Sequence, residues 1–401
     1  MTSNHNLSSR IIILTEHFWP STGATSQLIT DLADDLSCSG INPLILTSTS
    51  GDTSRGAYHV IRLSGYIHDS VGILGKLLVG ASFFFRSIVW LLFNNDNNDP
   101  LLIVSNPPFI GIVGLILKLL RRKRYLFLLQ DVFPRSASLS GILPSRGPLF
   151  AFWTFLIRQV IAHSDSTIVL SDSMLARCVA EFGFKSKLIT IPNWSVIPDT
   201  NIVSRANSLA KKWGVCHEFT VQYSGNFGRM HDILTILEAA RLLKQYPVKF
   251  LFVGGGAKVP QITRYSSVYK LDNVLLKDYQ SRALLPKSLA ACDVSIVSLI
   301  PGAEDTVAPS KLYGILSSRK PVILISSLNS EQANLIRDYE CGLVVEQGDV
   351  LSLVEAILKF QSDKTRLKTM SENSYHAYTY QFGRAQSIKE YVRLIRSTFG
   401  Q

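Results

Sequence analysis

The stretch FTVQYSGNFGRMHDILTILEAARLL, residues 219–243, holds the pattern that decides the fold. An apolar, β-branched run is followed by a loop with two glycines and then by apolar residues at helical spacing. This order predicts a strand, a turn and a helix, as in a βαβ unit. A helix that begins directly after a strand presents free backbone N–H groups to an anion. The stretch therefore predicts a parallel sheet with an anion-binding edge.

The same order of elements recurs along the whole chain. Near the N-terminus, an apolar run leads into a loop ending STGAT and then into the helical pattern SQLITDLADDL. Short apolar runs alternate with amphipathic segments throughout, which predicts parallel strands joined by helices. The predicted strands are 11–14, 43–47, 101–104, 125–129, 167–170, 219–223, 249–253, 273–276, 293–297, 321–325 and 342–345.

The chain has 401 residues, enough for two domains of ordinary size. The strand pattern pauses between 192 and 218, where IPNWSVIPDTN introduces two prolines. We therefore expect a Rossmann-like N-terminal domain at 1–200 and a Rossmann-like C-terminal domain at 201–380. A last helix within 381–401 could return to the N-terminal domain. The expected fold class is α/β, with two doubly wound parallel sheets facing each other across a cleft.

The composition favours a folded protein with an anionic partner. Hydrophobic residues make up 46% and charged residues 18% of the chain, which excludes a disordered or fibrous protein. The formal net charge of +11 favours nucleotide phosphates or an acidic membrane surface. The five cysteines are widely spaced, which fits neither a zinc site nor a disulfide framework and favours a reducing cytosol. The polar first residues predict no signal peptide.

Two windows of the N-terminal half are apolar, basic and free of acids. They are VGILGKLLVGASFFFRSIVWLLF (71–93) and IGIVGLILKLLRRKR (110–124), and together they carry seven positive charges. Three interpretations remain open: a membrane-spanning helix, a buried helix with a solvated basic end, and a helix in the lipid headgroup plane. Charges inside the first window argue against spanning, and no nucleic-acid-reading motif is present. We favour docking on an anionic membrane surface.

A glycine-rich turn follows the strand predicted at 249–253. Gly254 and Gly256 form a G-x-G pattern, but Val259 stands where the third glycine of a dinucleotide fingerprint belongs. The pattern therefore predicts either a weak dinucleotide site or a plain tight turn that lets a ligand approach the backbone.

The segment TVAPSKLYGIL, residues 306–316, is more specific. Ser310 is expected to cap a helix whose first turn carries Lys311. A cation opposes the helix dipole there, so the pattern predicts a bound anion. With Arg229 from the first glycine loop, Lys311 would place two cations around one diphosphate. No D-x-D motif and no ligand cluster is present, so we expect no metal.

Taken in order, these motifs resemble retaining glycosyltransferases of the GT-B fold, specifically glycosyltransferase family 4. The likeness is closest to bacterial enzymes that build O-antigen, capsule and colanic-acid-like polysaccharides, including the N-acetyl-fucosamine transferase type. From about residue 11 to 350, the matching segments are EHFWPSTGATSQLITDLADDL, SNPPF, LLQDVFPRSA, IPNW, YSGNFGRMHD, FVGGGAK, AACDVSIVSL and PGAEDTVAPSKLYGIL.

The resemblance implies that the second domain holds a nucleotide-sugar donor and the first an acceptor. With the anion-site pattern above, it assigns catalysis to Asp131, Lys311 and Arg229. Backbone N–H groups in the first glycine loop would bind the donor phosphates, the second glycine turn would pack on the base, and Asp131 would line the acceptor cleft. The implied donor-binding residues are Gly23, Ala24, Gly225, Asn226, His231, Gly254, Gly255, Gly256, Glu304, Pro309, Ser310, Tyr313 and Glu331.

The chain departs from the family at two glutamates that many relatives carry seven residues apart. Thr306 and Gly314 stand at these positions, so the usual ribose contact needs a substitute. The nearby candidates are Glu304, Asp305 and Glu331.

A second departure lies in the phosphate loop, where the family's common arginine and lysine appear as Asn226 and His231. For this reason the phosphate role is assigned to Arg229 and Lys311.

The resemblance implies a retaining, metal-independent glycosyltransferase without a cofactor. The expected donor is a UDP-sugar, with a GDP-sugar as the alternative, and the expected acceptor is a polyprenyl-diphosphate-linked saccharide of cell-surface polysaccharide (lipopolysaccharide O-antigen) biosynthesis. Such a protein would be cytoplasmic and peripherally bound to the inner face of the plasma membrane, with no nucleic-acid partner. Three alternatives stay open: an inactive homologue acting as a partner subunit, a nucleotide-sugar epimerase of the same fold, and a nicotinamide-dependent dehydrogenase.

Overall fold

The computed structural model describes residues 9–63, 73–94, 99–197 and 203–400. The chain forms two compact units: unit 1 comprises Met1–Pro192 and Ala385–Gln401, and unit 2 comprises Asn193–Arg384. The division thus falls at Pro192 instead of residue 200, and parts of the predicted linker, 198–202, lie outside the described residues.

Unit 1 is built on an eight-stranded sheet in the order β3-β4-β2-β1-β5-β6-β7-β8. All neighbours pair in parallel except β3 and β4, which are antiparallel. Strand order reverses between β1 and β5, which creates a switch point where ligands commonly bind. The strands are β1 Ser9–Leu14, β2 Ile41–Thr47, β3 Ser54–Arg55, β4 Tyr58–Arg62, β5 Leu101–Val104, β6 Tyr125–Leu128, β7 Ser166–Val169 and β8 Leu188–Thr190.

The sheet's central strands are buried on both faces, as expected for a parallel sheet covered by helices. Each strand that the sequence predicted in this half is present, whereas β3, β4 and β8 were missed because they are short edge strands with few apolar residues. The helices up to this point in the chain are α1 Ala24–Cys38, α2 Ile73–Phe93, α3 Gly111–Arg121, α4 Arg135–Leu139, α5 Pro148–His163 and α6 Asp172–Phe182.

Unit 2 contains a six-stranded, fully parallel sheet in the order β11-β10-β9-β12-β13-β14. Its switch point lies between β9 and β12, which are neighbours in the sheet but not in the chain. The strands are β9 Phe219–Asn226, β10 Val248–Gly255, β11 Val274–Lys277, β12 Val294–Ser298, β13 Val322–Ile325 and β14 Gly342–Val345. All six strands predicted from the sequence are present.

Helices cover this sheet and bury its apolar side chains in one main core and two smaller ones. They are α7 Ser208–Trp213, α8 Leu234–Leu242, α9 Val259–Val268, α10 Leu285–Ala290, α11 Lys311–Ser317, α12 Glu331–Asp338, α13 Val350–Ser362 and α14 Lys364–Gln381.

The last helix, α15 Arg384–Phe399, leaves unit 2 and packs in unit 1. The Arg396 guanidinium donates to the Ser39 carbonyl at 2.9 Å, and the Arg124 guanidinium lies 5.1 Å from the Phe399 ring centroid. These contacts attach the C-terminal helix to the end of α1 and to the segment that precedes β6.

Candidate functional site

Two glycine turns meet at the carboxyl edge of the unit 2 sheet. Gly254, at the end of β10, has φ +143°, and a Cβ added there would lie 2.0 Å from the Gly225 carbonyl oxygen. Gly256 has φ +138°, and its added Cβ would lie 2.4 Å from the Asn226 side-chain oxygen. Only glycine fits a positive φ at such short distances. The G-x-G pattern is therefore required by the close approach of the turns after β9 and β10.

Backbone and side-chain hydrogen bonds hold the loop after β9 in place. The Phe227 N–H donates to the Gly255 carbonyl at 2.7 Å, and the Lys258 N–H donates to the Phe227 carbonyl at 2.9 Å. The Lys258 ammonium donates to the His231 carbonyl at 2.5 Å. Residues 226–231 are thus braced from β10 and from the start of α9, so side chains on this loop are positioned before any ligand binds.

Lys311 extends from the first turn of α11 to the end of β9. Its Nζ donates to the Tyr223 hydroxyl at 2.5 Å and to the Asn226 carbonyl at 3.3 Å, and it lies 3.5 Å from His231 Nε2. Nζ is also 4.1 Å from the Tyr223 ring centroid, close enough for a cation–π contact. None of these partners is an acid, and burial lowers the pKa of Lys311 to about 7. A desolvated amine without a carboxylate partner favours binding of an anion.

Tyr223 is a site residue that the sequence analysis missed. The side chain is only 2% exposed and packs against Phe227 and Phe252, with ring centroids 5.7 Å and 6.3 Å away. Burial raises the pKa of its hydroxyl, which stays protonated and holds Lys311. The available signal was a tyrosine at the carboxyl end of a switch-point strand, directly before a glycine loop.

His231 lies beside Lys311 on the braced loop. Its Nδ1 accepts a hydrogen bond from the Gly228 N–H at 3.0 Å. Burial, Lys311 and Lys258 together lower the pKa of the imidazole to about 2. His231 is therefore neutral at ordinary pH, and the structure brings it together with Lys311, Asn226 and Tyr223.

Arg229, predicted to share the diphosphate with Lys311, is exposed on the same loop. Within the described part of the chain, its guanidinium forms no hydrogen bond or ion pair. The structure thus ties Lys311 into the site and leaves a phosphate role for Arg229 as a prediction.

Tyr279 is a second residue that the sequence analysis missed. It follows β11, its ring is 55% exposed, and its hydroxyl donates to the Gly255 carbonyl at 3.2 Å. A Cβ added at Gly255 would lie 3.1 Å from the Tyr279 ring, so the ring rests on the glycine turn. This flat, exposed aromatic surface adjoins Gly254–Gly256, which were predicted to pack on a nucleotide base. The sequence signal was an aromatic residue just past a strand's carboxyl end.

The segment before α11 differs from two predictions. Ser310 has helical dihedral angles (φ −54°, ψ −24°) and its side chain makes no capping hydrogen bond, so the predicted cap is wrong. A capping side chain needs extended backbone at that residue. Tyr313 was predicted to bind the donor, but it is 5% exposed and its ring lies 4.9 Å from that of Phe382. It faces the core because it lies on the inner side of α11, and Pro309 is buried as well.

The candidate substitutes for the family glutamates have different surroundings. Glu304 is half-buried, and one carboxylate oxygen accepts from the Ser327 N–H at 3.2 Å and from the Gln347 amide at 2.6 Å. Glu331 is the first residue of α12. Thr306 is fully buried, and its hydroxyl donates to the Gly302 carbonyl at 3.2 Å, so it cannot reach a ribose. Glu304 is the best-positioned carboxylate in this segment.

In unit 1, Gly23 and Ala24 form the exposed N-terminus of α1, and no side chain caps this helix. The preceding loop is held by Arg62, which donates to the Trp19 carbonyl at 2.8 Å and to the Thr49 carbonyl at 3.0 Å. The first N–H groups of a helix lack intrahelical partners, so this end is suited to an anion. The loop lies at the β1–β5 switch point, as the sequence predicted for a ligand-binding loop.

Asp131 lies shortly after β6, at the carboxyl edge of the same sheet. Its carboxyl group is exposed, while the protein around it raises its pKa to about 6 through desolvation. The adjacent Gln130 N–H donates to the Ser105 hydroxyl at 2.8 Å, which fixes the backbone before Asp131. Across the described residues, no group of three or more His, Cys, Asp or Glu side chains could hold a metal ion.

The helix α2 packs in unit 1 through its small residues. Gly80 and Ser87 are buried with Phe83 and Leu91, and a Cβ on Gly80 would lie 3.2 Å from the Phe109 ring. The predicted stripe of Gly, Ser, Lys and Arg residues is thus partly an inward face, while residues 71–72 lie outside the described part of the chain. The small side chains let α2 approach the protein closely, which directs its larger apolar side chains outward.

An exposed apolar surface extends from α2 to α5. Phe84 of α2 contacts Phe109, which contacts Trp153 of α5, with ring centroids 5.8 Å and 6.5 Å apart. The helices α2 to α5 contain no Asp or Glu. The α5 part was missed because its sequence is that of an ordinary amphipathic helix. We call this the α2–α5 surface, and its members, each more than half exposed, are Leu77, Leu78, Phe85, Val89, Phe93, Leu149, Phe152 and Phe155.

The described helices were also compared with the length and hydropathy that a bilayer requires. None of them is both long and apolar enough to cross a membrane.

Residues 210–377, nearly all of unit 2, match the family model Glycosyl transferases group 1. The chain is 25% identical over 265 residues to a protein described as a probable glycosyltransferase, WbjE of Pseudomonas aeruginosa, covering 65% of each chain. It is 27% identical over 204 residues to the colanic acid biosynthesis glycosyl transferase WcaI of Escherichia coli (strain K12), covering 50% of each. The chain therefore spans 65% and 50% of the lengths of these relatives.

Solved structures show the fold. Sucrose-phosphate synthase from Thermosynechococcus elongatus superposes with a TM-score of 0.80 at 18% identity, covering 98% of this chain and 99% of that one. HepE of Anabaena in complex with UDP-glucose superposes with a TM-score of 0.74 at 15% identity, covering 97% and 99%. The chain thus has the GT-B fold of two parallel-sheet α/β domains, as the sequence predicted.

Proposed function

We propose that this chain, whose unit 2 is a glycosyl transferases group 1 domain, transfers a sugar from a nucleotide-sugar donor to a saccharide acceptor. The observation that carries this function is Lys311, a desolvated amine held by Tyr223 and Asn226 with no carboxylate in contact among the described residues. A diphosphate supplies the missing negative charge. The relatives' descriptions as glycosyltransferases support the same activity.

The charge changes of glycosyl transfer suit this site. Breaking the bond between sugar and diphosphate places positive charge on the anomeric carbon and negative charge on the leaving phosphate. A fixed cation and hydrogen-bond donors stabilise that phosphate in the transition state more than in the ground state. We propose that transfer is metal-independent and retains the anomeric configuration, with the acceptor attacking on the face that the diphosphate leaves. The leaving phosphate then takes the acceptor's proton, so no dedicated protein base is needed.

For the donor, we propose a UDP-sugar, with a GDP-sugar as the alternative. HepE, which has the same fold, binds UDP-glucose, and this supports a uridine nucleotide. The exposed ring of Tyr279 on the Gly255 turn provides an apolar surface for the base. We assign the ribose contact to Glu304, whose carboxylate is held in a fixed orientation by the Ser327 N–H and the Gln347 amide.

For the acceptor, we propose a saccharide linked to a polyprenyl diphosphate in the cytoplasmic face of the inner membrane. The α2–α5 surface supports this choice, because it exposes large apolar side chains on helices without acids. The exposed cations Arg86, Arg146 and Arg158 lie on or beside these helices. Apolar residues inserted at the headgroup level, with cations near anionic lipid, are the usual means of peripheral membrane binding. The role of WcaI in colanic acid biosynthesis supports a polysaccharide product.

Ligand binding and transfer test this function directly. We expect UDP or GDP to raise the melting temperature of the full chain without added metal, since a ligand that binds only the folded state stabilises it. We also expect transfer of labelled sugar from the matching nucleotide sugar to a lipid-linked acceptor extract. Stabilisation by NAD alone would overturn the proposal. Binding of a nucleoside diphosphate without transfer would favour an inactive partner subunit, which the buried Thr306 motivates.

A further inference from the structure

The hydrogen bonds of His231 determine which ring nitrogen carries its proton. Nδ1 accepts from the Gly228 N–H at 3.0 Å, so Nδ1 has no proton of its own. A neutral imidazole carries one proton, which must then be on Nε2. Burial together with Lys311 and Lys258 keeps the ring neutral. His231 therefore presents an Nε2–H donor on its side facing Lys311.

This donor has no acceptor of suitable strength in the protein. Its neighbour at 3.5 Å is the Lys311 Nζ, which donates to the Tyr223 hydroxyl and to the Asn226 carbonyl. When Lys311 is protonated, a third N–H of its ammonium remains, and it too lacks an acceptor among the described residues. Two adjacent donors therefore converge at one place with no carboxylate to receive them.

The distance between the two nitrogens fits a single shared oxygen. An acceptor about 2.9 Å from each of two nitrogens 3.5 Å apart forms an ordinary triangle of hydrogen bonds. The backbone of the loop does not need to move, because Lys258 holds the His231 carbonyl at 2.5 Å and Gly228 holds the ring. The site is thus preorganised for an oxyanion.

We propose that His231 Nε2–H and Lys311 Nζ bind the same oxygen of the donor's diphosphate, so that His231 is a neutral hydrogen-bond donor to the leaving group. This inference rests on the proposed function, and it assigns His231 a role that the sequence had moved to Arg229. A neutral donor suits this position, because Lys258 and Lys311 already flank it and a third cation would be repelled.

Two substitutions separate this role from a merely structural one. In H231N, the amide oxygen can replace Nδ1 as the acceptor of the Gly228 N–H, but nothing replaces the donor at Nε2. In H231Q, the longer side chain can place an amide N–H where Nε2–H was, while the Gly228 contact is weakened. If His231 only braced the loop, H231N would be the milder change. If it binds the diphosphate, H231Q is the milder one.

The experiment measures binding of UDP and GDP to the full-length chain by calorimetry without added metal. We expect H231N to weaken binding of the preferred nucleotide roughly 10- to 100-fold, as for a lost hydrogen bond to a charged group, and H231Q to weaken it less. Nearly unchanged binding by H231N, or stronger loss in H231Q, overturns the inference while the proposed function stands. If neither nucleotide binds the wild-type chain, both fail together.

A second measurement keeps the inference testable if H231Q does not fold. Combining H231N with K311M completes a double-mutant cycle. Because both groups contact one oxygen, we expect the two losses in UDP or GDP affinity to be strongly non-additive. Additive losses would place the two side chains on separate parts of the ligand and overturn the shared-oxygen geometry.

Discussion

The Lys311 ammonium lies 2.5 Å from the Tyr223 hydroxyl, so a residue after β12 is held by a residue of β9 across the switch point of the unit 2 sheet. The tyrosine is buried in the aromatic core, and its hydroxyl is the polar end that reaches the site. The core thus sets the position of the cation.

Replacing Tyr223 by Phe removes this hydroxyl and retains the ring. We expect the free energy of unfolding to change by no more than about 1 kcal/mol, because one hydrogen bond is lost and the packing is kept. The KM for the donor should rise several-fold, since Lys311 is no longer held at the site. Steady-state kinetics and urea unfolding check the two parts. Unchanged donor KM with unchanged stability would show that Tyr223 does not position Lys311.

Lys311→Ala should remove most of the turnover and leave the fold intact. The side chain is the fixed cation closest to the proposed diphosphate site, and loss of such a group typically costs 100-fold or more, roughly, in kcat. The matched control is Lys212→Ala, an exposed lysine of α7. A near-wild-type kcat/KM in Lys311→Ala would contradict the assignment.

Donor affinity should depend on pH through Lys311. Burial lowers the pKa of this amine to about 7, so it is charged below that pH and increasingly neutral above it. The diphosphate binds the charged form, so affinity should fall as pH rises from about 7 to 9. The groups that face Lys311 do not titrate in this window, since His231 stays neutral and the Tyr223 hydroxyl stays protonated.

The control for this pH dependence is Lys311→Arg, because a guanidinium keeps its charge across the whole range. Calorimetric titration of UDP or GDP at several pH values should give a falling affinity for the wild-type chain and a flat profile for the variant. A flat wild-type profile would mean that Lys311 is not the titrating contact of the diphosphate.

Gly256→Ala should destabilise unit 2 and disturb the donor site. The added Cβ would lie 2.4 Å from the Asn226 oxygen at a backbone φ of +138°. We expect a loss of about 2–4 kcal/mol in the free energy of unfolding, measured with urea. The matched control is Gly348→Ala, where φ is +80° and nothing lies within 4 Å, so only about 1 kcal/mol should be lost. Equal effects at both glycines would refute the close-approach explanation.

The α2–α5 surface should bind anionic vesicles. Replacing Phe85 and Phe155 by Ser should weaken sedimentation with phosphatidylglycerol vesicles, since two large apolar side chains no longer enter the headgroup region. Replacing the similarly exposed Val268 and Leu351 of unit 2 by Ser serves as the control. Binding by the wild-type chain should also weaken with salt. Equal binding by both double variants would count against this surface as the docking site.

Much of the fold could be predicted from the sequence because its signals are local. The strand, glycine loop and helix in 219–243 follow from periodicity and turn chemistry, and the structure has β9, the loop and α8 in that order. Lys311 was also recognisable, because a cation in the first turn of a helix opposes the dipole. The short strands β3, β4 and β8 gave too weak a periodic signal to be found.

The partners of those residues depended on distant parts of the chain. Tyr223 and Lys311 are 88 positions apart, and only the pairing of β9 with β12 makes them neighbours. Tyr313 looked like a site residue because it follows Lys311 closely, but its helix turns it toward Phe382 and the core.

The sequence by itself determined two parallel-sheet domains, the glycine turns and the presence of an anion-seeking cation, since each of these follows from neighbours within one or two turns of chain. Tertiary structure alone decided which hydroxyl holds Lys311, which nitrogen of His231 carries the proton, and which side of α2 faces outward. Those outcomes depend on contacts between residues far apart in the chain, and no local pattern encodes such distances.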